Sequence, residues 1–316
     1  MAIVRGSAQY TGAGSIVTIG NFDGVHRGHR ALLSAARAQA EALSASGVCA
    51  YTFDPPPRDV LRPDNGIRRL QRLEDRVALL HAQGADDVLV EPFDRAFAAR
   101  TPEWFATEVL VGRLQARGVV VGHDFRFGRG RSGDAAGLRA LLAGHGVPVE
   151  QVQAVQTGPN EADGARIISS SAIRAHLEAG DVEAAAVLLA RPHEVVGPVV
   201  HGEARGRQLG FPTANVAAET PLVPANGVYA CTVLEPDAVR GRAAVVNVGV
   251  RPTFEAEGTP ATVEVHLLDW AGDLYGQTLR IAFVKRLRGE RAFAGLDALV
   301  EQIRQDVEAT RHALVP

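Results

Sequence analysis

Two histidines stand three positions apart where the first predicted strand gives way to a helix. The strand SIVTIG runs into GNFDGVHRGH, residues 20–29, which holds His26 and His29 at the start of that helix. Residues three apart at a helix start share a face. Backbone N–H groups and the positive end of the helix dipole point toward an anion at such a turn. The two histidines are therefore placed to donate hydrogen bonds to a phosphate whose charge grows in a transition state.

Two histidines near a helix start are, taken alone, more often solvated or structural than catalytic. The sequence offers no third metal ligand nearby, so the pair does not predict a zinc site. The complete string is more specific, because it also contains Gly20, Phe22 and Asp23. GNFDGVHRGH resembles the G-x-F-D-x-x-H-x-G-H signature of nucleotidyltransferases, the enzymes that adenylylate or cytidylylate a phosphate.

Two further polar segments follow in the same half of the chain. HDFRFG, residues 123–128, follows the predicted strand GVVVG and leads into the basic RGRSGD, a composition that by itself predicts only a surface loop. ISSSAIR, residues 168–174, places three hydroxyls before a helix, where serine is usually a cap. The cap also leaves backbone N–H groups exposed beside Arg174, which suits the triphosphate of ATP.

GNFDGVHRGH, DFRFG and ISSSAIR together resemble the adenylyltransferase half of bacterial FAD synthetase, over residues 14–186. The resemblance places Asp124 and Phe125 near the flavin or the nucleotide. The chain departs from the family at two positions. Pro56 stands between Pro55 and Pro57, where the family often has a histidine that contacts a phosphate. His123 stands where an acidic residue is frequent. The resemblance further implies that the phosphates of ATP are handled by Gly20, Phe22, Asp23, His26, His29, Ser170, Ser171 and Arg174.

A glycine-flanked string in the second half of the chain carries oxygen donors. In GRQLGFPTAN, residues 206–215, Thr213 and Asn215 offer the neutral oxygen ligands that Mg²⁺ accepts. A generic Pro-Thr-x-Asn is most often only a turn before a strand. In this order the string resembles the GFPTAN motif of riboflavin kinases. That resemblance implies ATP binding at Gly210, Thr213 and Asn215, with Mg²⁺ at the latter two.

The segment VEVHLLD alternates as a half-buried strand does. Val263, Val265 and Leu267 share the face that should enter the core. Glu264 and His266 are left on the other face, where a glutamate is normally only solvated. The segment resembles the part of riboflavin kinases whose glutamate faces the flavin hydroxyl. The resemblance therefore implies that Glu264 is the general base.

Riboflavin kinases also have segments similar to NGVYA at 226–230, NVGVRPTF at 247–254 and KRLRGERAF at 285–293. The last implies a wall beside the flavin that includes Leu287 and Arg291. Its arginines are equally typical of ordinary solvated charge. The kinase resemblance covers residues 187–316.

The elements that must position these residues change type along the chain. Up to about residue 190, apolar β-like runs alternate with helical patterns, which predicts a Rossmann-like parallel sheet with helices on both faces. After Arg191 and Pro192, short strands with glycine and proline turns predict an antiparallel β-barrel. We therefore predict an α/β fold with a nucleotidyltransferase domain at 1–186 and a riboflavin kinase domain at 187–316. A terminal helix should pack on the barrel through Leu296, Leu299, Ile303 and Val307.

Composition indicates the cellular compartment and the class of binding partner. With 316 residues and 46% hydrophobic content, the chain has enough material for two cores. A net charge of −3 argues against a broad nucleic-acid surface. The sequence shows neither a secretory signal nor a segment long and apolar enough to span a membrane. Cys49 and Cys231 lie far apart in predicted strands, which fits a reducing cytoplasm, and the pattern leaves open whether the chain forms a homo-oligomer.

The resemblance implies two consecutive reactions on small molecules. In the C-terminal domain the ribityl hydroxyl of riboflavin attacks the γ-phosphate of ATP, Glu264 accepts the proton and Mg²⁺ binds the phosphates. In the N-terminal domain the phosphate of FMN attacks the α-phosphate of a second ATP, which forms FAD and releases pyrophosphate. Because this nucleophile is already an anion, no protein base is required. His26 and His29 instead stabilise charge on the phosphates.

Two other functions fit parts of the pattern. A nucleotidyltransferase for another phosphorylated acceptor, such as pantetheine phosphate or a lipid head group, would share the HxGH signature but has no use for GFPTAN and VEVHLLD. A non-catalytic flavin-binding or storage protein would not need Thr213, Asn215 and Glu264 together. Whether a mixture of the protein with riboflavin, ATP and Mg²⁺ forms flavin products distinguishes these functions.

Overall fold

The chain forms two compact units. The computed structural model describes residues 3–63, 66–158, 166–202, 206, 209–249 and 262–314. The first unit comprises Met1–Ile67 and Leu73–Ile168, and the second comprises Arg68–Arg72 and Ser169–Pro316. Each unit has its own sheet and its own apolar clusters.

The first unit is built on a six-stranded parallel sheet in the order β1-β4-β3-β2-β5-β8. Strand β2 is buried along its whole length and β3 at every residue but its last, Phe53, as expected where both faces of a parallel sheet are covered. The chain moves from β2 outward through β3 to β4, and then returns to build β5 and β8 on the other side. Strands of this unit are β1 Val4–Arg5, β2 Ile16–Ile19, β3 Val48–Phe53, β4 Asp87–Glu91, β5 Gly118–Gly122, the short antiparallel pair β6 Arg126–Phe127 and β7 Gly133–Asp134, and β8 Val149–Val152.

Helices cover both faces of this sheet, as the sequence predicts. Alternate residues of one strand enter different apolar clusters: Val17 packs with residues that include Phe105, whereas Ile16 packs with residues that include Leu33 and Leu80. The helices of this unit are α1 Arg27–Ala42, α2 Pro57–Leu61, α3 Leu73–Ala82, α4 Arg95–Ala98, α5 Pro102–Trp104 with a π-helix at Phe105–Arg113, α6 Ala135–Ala143, and 3₁₀ turns at Ser7–Gln9 and Arg129–Arg131.

The second unit contains the predicted antiparallel barrel, which is closed. Its order is β10-β13-β12-β11-β14-β9, with β9 paired to β10, so no barrel strand leaves an open edge. The barrel strands are β9 His193–Val200, β10 Ala214–Val216, β11 Gly227–Glu235, β12 Ala243–Gly249, β13 Thr262–Leu267 and β14 Thr278–Arg288. The helices of the unit are α7 Ser170–Ala179, α8 Val182–Leu189, α9 Leu296–Leu314 and a 3₁₀ turn at Asp237–Val239.

Helices α7 and α8 belong to the same compact unit as the barrel. The backbone N–H of Ala225 donates to the carbonyl of Leu177 at 2.9 Å. The guanidinium of Arg286 on β14 donates to the carbonyl of Ala179, the last residue of α7, at 3.0 Å. The compact units thus separate between Ile168 and Ser169, whereas the division of activities at 186/187 stays a prediction.

The terminal helix α9 packs on the barrel, and Leu299, Ile303 and Val307 are half-buried there, but polar residues occupy the most buried positions of the contact face. Leu296 is 66% exposed, and the most buried positions are the polar Gln302, Asp306 and Thr310. Asp306 forms a bidentate pair with Arg288 of β14, with N–O distances of 2.8–3.1 Å. This ion pair lies in the contact between the helix and the barrel, and of the predicted apolar residues Val307 joins a small cluster with Val228, Val245 and Leu268.

Candidate active sites

The loop that follows β2, residues 20–29, lies where the strand order of the first unit reverses. Ligands of open α/β sheets bind at this topological switch point, beyond the carboxyl ends of the strands. The backbone of the loop is unusual, because Phe22, Gly24 and Val25 have φ angles of 52°, 88° and 42°. A bulky residue rarely adopts such a conformation, which costs about 1–3 kcal/mol each and clusters at functional sites. Phe22 and Val25 are both completely buried, so their packing holds the loop in this shape.

The two histidines of the loop stack on each other at the start of α1. His26 is the N-cap residue of α1, and its ring centroid lies 3.6 Å from that of His29 at an angle of 19°. The backbone N–H of His26 donates to Nδ1 of His29 at 3.3 Å. Because Nδ1 accepts this bond, the proton of a neutral His29 ring is on Nε2. His29 can then donate through Nε2 to an anion.

The electrostatic surroundings keep His29 uncharged. Burial, the neighbouring His26 and the guanidinium of Arg76 lower the pKa of His29 well below its ordinary value. A neutral imidazole stabilises phosphate charge as a hydrogen-bond donor rather than as a cation.

Two glycines leave room for the rings of this loop. A Cβ at Gly28 would lie 3.0 Å from Cε1 of His26, and a Cβ at Gly20 would lie 3.2 Å from the ring of Phe22. Gly28 of the HxGH string therefore allows the His26 ring to lie close to the backbone, and Gly20 does the same for the Phe22 ring. Asp23 sits between Phe22 and Gly24 and is half-buried.

The segment after β5 lies at the same edge of the sheet, because β5 pairs in parallel with β2. His123 and Asp124 are exposed, and Phe125 stacks on Phe127 with ring centroids 5.3 Å apart. Phe127 in turn contacts Phe105, at the end of a cluster of aromatic rings. Phe125 is half-buried beside these exposed polar groups, and a partly exposed aromatic ring in such a place suits contact with a flat ring system. The other rings of the cluster are Tyr51, Phe53, Phe93, Phe97 and Trp104.

The ISSSAIR string is divided between the two compact units. Ser169 is the N-cap of α7, and its Oγ accepts a hydrogen bond from the backbone N–H of Ala172 at 3.2 Å. Ser170, Ser171 and Arg174 occupy the first turns of α7 and belong to the second unit. Of the predicted adenylyltransferase residues, the structure thus brings those of the histidine loop together in the first unit and these three together in the second.

The GFPTAN string leads into β10. A Cβ at Gly202 would overlap the side-chain amide of Asn215, and a Cβ at Gly206 would lie 3.4 Å from Oγ1 of Thr213. The two oxygen donors are therefore packed against glycine backbone. Gly210 has a φ of 83°, a conformation that side chains rarely adopt.

Glu264 lies between two asparagines on the barrel wall. It is directly opposite Asn215 of β10 on one side and Asn247 of β12 on the other. The neighbouring Val263 and Val265 are buried, so Glu264 is on the outer face, as the alternation predicts. Sequence reasoning did not single out Asn247, which becomes visible as a neighbour only through the strand register.

The oxygen donors of the barrel fit a magnesium–nucleotide complex. Thr213 and Asn215 carry neutral oxygen ligands of the kind that Mg²⁺ accepts. Within the described residues, no three His, Cys, Asp or Glu side chains form a metal-binding cluster.

The predicted flavin wall has one apolar and one charged member. Leu287 packs against the small cluster that joins the barrel to α9. Arg291 lies 4.9 Å from the ring centre of Phe293 and donates to Oε1 of Gln302. Glu290, which sequence reasoning also missed, accepts a hydrogen bond from Asn226 at 3.2 Å. The segment 250–254 of the predicted NVGVRPTF motif lies outside the described residues.

Comparisons with known proteins agree with this division into two sites. A sequence model of FAD synthetase matches residues 9–171, and one of riboflavin kinase matches residues 189–314. The chain is 40% identical to the bifunctional riboflavin kinase/FMN adenylyltransferase of Escherichia coli K12 over 97% of this chain and 96% of that protein. It is also 40% identical to the protein of the same name from Pseudomonas fluorescens, over 100% and 99% of the two chains.

A solved structure has the same fold over the whole length. The crystal structure described as a macrolide-efflux protein from Streptococcus pneumoniae superposes with a TM-score of 0.87 at 30% identity, and covers 98% of this chain and 99% of that one. In the described part of the present chain, every helix is too short or too polar to cross a membrane. The histidine loop, the barrel site and the full-length matches show that the chain belongs to the family of bifunctional riboflavin kinases/FMN adenylyltransferases.

Proposed function

We propose that this chain converts riboflavin into FAD in two steps, and that each step uses its own set of residues. Riboflavin and ATP give FMN and ADP in the first step, and FMN and a second ATP give FAD and pyrophosphate in the second. The observation that carries the assignment of kinase residues is the cross-strand placement of Glu264 beside Asn215. The match of residues 189–314 to riboflavin kinase argues against a nucleotidyltransferase for another acceptor, which would have no kinase domain.

In the kinase step, Glu264 accepts the proton of the terminal ribityl hydroxyl as this oxygen attacks the γ-phosphate. Thr213 and Asn215 hold Mg²⁺, which when bound neutralises charge on the ATP phosphates. The ATP phosphates pass beside Gly210, where no side chain obstructs them. Leu287 and Arg291 bound the flavin.

In the adenylyl-transfer step, the phosphate of FMN attacks the α-phosphate of ATP. His26 and His29 donate hydrogen bonds to the phosphate oxygens as their charge increases. Gly20, Phe22 and Asp23 give the loop its shape, and Asp124 and Phe125 contact the flavin or the nucleotide. The remaining phosphate contacts come from the start of α7, through Ser170, Ser171 and Arg174.

We assign adenylyl transfer to residues 1–186 and phosphorylation to residues 187–316. The two families matched within these ranges, at 9–171 and 189–314, support this assignment. We place the enzyme in the cytoplasm, where ATP is supplied and where the two buried free thiols, Cys49 and Cys231, stay reduced.

The proposal is tested by following flavins chromatographically after the purified chain is mixed with riboflavin, ATP and Mg²⁺. FMN should appear first and FAD should follow, and chelation of the metal should stop both steps. Supplied FMN should give FAD and pyrophosphate without riboflavin. Accumulation of FMN alone would refute adenylyl transfer, and unchanged riboflavin would refute the kinase.

A further inference from the structure

Arg76 of α3 carries a buried positive charge beside the histidine loop. Its side chain is 3% exposed, although arginine is almost never buried without partners. In the sequence, LEDRVALL gives no sign of this, because a charged residue within a helix is usually solvated. The guanidinium donates through Nη1 to the carbonyl of Asn21 at 3.0 Å and through Nη2 to the carbonyl of Phe53 at 3.1 Å.

The two acceptors lie at the carboxyl ends of neighbouring strands. Asn21 immediately precedes Phe22 in the histidine loop after β2, and Phe53 is the last residue of β3, which pairs with β2. The carbonyl of Asn21 also accepts a hydrogen bond from Oγ1 of Thr52 at 3.2 Å. A guanidinium presents its donors in a rigid plane, so it fixes both carbonyls relative to each other. Arg76 therefore joins the start of the histidine loop to the end of β3.

The histidine loop needs such a restraint. Phe22 and Val25 occupy the left-handed region, and residues in this region persist only where the surroundings hold them. The buried side chains of these two residues hold the middle of the loop, whereas Arg76 holds the backbone where the loop begins. A displacement of a reacting group by about 1 Å can cost on the order of a hundredfold in rate.

We propose that Arg76 is a positioning residue for adenylyl transfer, which fixes the loop so that His26 and His29 meet the phosphates of ATP. Arg76 acts through the backbone of Asn21 and contacts no substrate. The inference rests on the proposed role of the two histidines. The positive charge of the same guanidinium also contributes to lowering the pKa of His29.

The test compares Arg76→Met and Arg76→Lys in the full-length chain. Methionine keeps the length of the side chain without its donors, and lysine keeps the charge but is a single point donor. For each variant, kcat and the KM values for FMN and ATP are measured for FAD formation. Riboflavin phosphorylation by the same sample and a thermal melt report whether the chain is folded.

We expect Arg76→Met to lower kcat for FAD formation by about ten- to hundredfold with nearly unchanged KM values, because the defect is in alignment rather than in binding. The kcat of Arg76→Lys should lie between the kcat of Arg76→Met and that of the wild type. Riboflavin phosphorylation should be unchanged in both. Arg37→Met is the control: Arg37 of α1 also joins its helix to a loop, through the carbonyl of Gly84 and the carboxylate of Asp86, both at 2.7 Å, but its side chain is 40% exposed. It should keep the wild-type kcat.

A wild-type kcat in Arg76→Met would overturn the inference. So would a raised KM with unchanged kcat, which would indicate a substrate contact, or an equal loss in Arg37→Met, which would indicate general destabilisation. If Arg76→Met shows no cooperative melting of the first unit, the kcat and KM values of the folded Arg76→Lys variant provide the test instead. Failure of the proposed function is seen separately, since the wild type would then form no FAD from FMN.

Discussion

Glu264 of β13 stands directly opposite Asn215 of β10 and, on its other side, opposite Asn247 of β12. Residues opposed in this way on one face of an antiparallel pair have Cβ atoms about 4.5–5.5 Å apart. Glu264 therefore stands in a row with the two asparagines on the outer face of the barrel. A closed barrel fixes that row from both sides, which places the proposed base on a rigid element rather than on a loop.

Glu264→Gln should abolish formation of FMN from riboflavin and leave conversion of supplied FMN to FAD intact. Glutamine keeps the size of the side chain but cannot accept the proton, and loss of a general base costs on the order of a hundredfold or more in rate. Chromatography of flavins measures both reactions in one sample. Glu235→Gln, the same change at the end of β11, serves as the control and should retain both activities. Wild-type FMN production by Glu264→Gln would show that Glu264 is not the base.

His29→Ala should stall the pathway at FMN while riboflavin phosphorylation continues. Removal of one preorganised donor to transition-state charge costs roughly two to three orders of magnitude in rate. His29→Gln should keep more activity than His29→Ala, because the amide restores a neutral N–H donor near the position of Nε2. Equal losses in the two variants would instead indicate that a positively charged ring is required. Sustained FAD synthesis by His29→Ala would contradict the assignment.

A fragment that starts at Ser169 should be more stable than one that starts at Ala186. The longer fragment keeps α7 and α8, whose Ile173, Leu177 and Val182 are buried. The shorter fragment also leaves the N–H of Ala225 and the guanidinium of Arg286 without their carbonyl acceptors in α7. Both fragments keep every proposed kinase residue.

Thermal melts followed by circular dichroism compare these two fragments. Production of FMN from riboflavin and ATP shows whether each one retains its site. Both lack Arg68–Arg72, which belongs to the second unit, so this segment does not distinguish them. Identical melting temperatures would mean that α7 and α8 add nothing to the stability of the barrel.

The second unit should lose stability in mild acid through His193, which opens β9. This side chain is 3% exposed, its Nε2 lies 2.8 Å from the carbonyl of Leu222, and burial lowers its pKa from 6.5 to about 4. The unfolded chain binds the proton more tightly, so stability is complete above the unfolded pKa and falls as the pH drops from there toward the folded pKa. The loss is at most about 1.4 kcal/mol per pH unit within this window.

Samples are heated at pH 7.5 and at pH 5, and the kinase activity that remains in each is then measured. The difference between the two reports the loss of stability. His193→Gln keeps a donor for the Leu222 carbonyl but has no titrating group, so its heat resistance should depend less on pH. The exposed His312 provides the control, because His312→Gln should behave as the wild type does. An equal pH dependence in His193→Gln would rule out His193 as the source.

The sequence was sufficient for features that depend on local pattern. Alternation in VEVHLLD correctly placed Glu264 on the outer face of β13, and the change from mixed to β-rich segments correctly separated a parallel sheet from a barrel. Both follow from periodicity, which the backbone imposes on any sequence. The sequence also placed the histidines at a strand-to-helix turn, whereas the location of that turn at the switch point is known only from the pairing of the strands.

Features that depend on distant partners could not be read from the sequence. The polar face of α9 is buried because Asp306 meets Arg288, a residue 18 positions away on a strand. Arg76 looks like an exposed helical residue until the ends of β2 and β3 are brought beside it. Asn247 becomes a neighbour of Glu264 only through the register of β12 and β13. In each case the decisive contact is tertiary, and local periodicity carries no information about it.

The attachment of α7 to the barrel limits how relatives of this enzyme can exchange their halves. A chimera joined at 186/187 would combine α7 from one parent with a β14 from the other, and the Arg286 contact to the end of that helix would have to survive by chance. A chimera joined at 168/169 inherits helix and barrel from one parent. Recombination that preserves the packing of the barrel should therefore favour crossovers before Ser169, which take α7 and the barrel from the same parent.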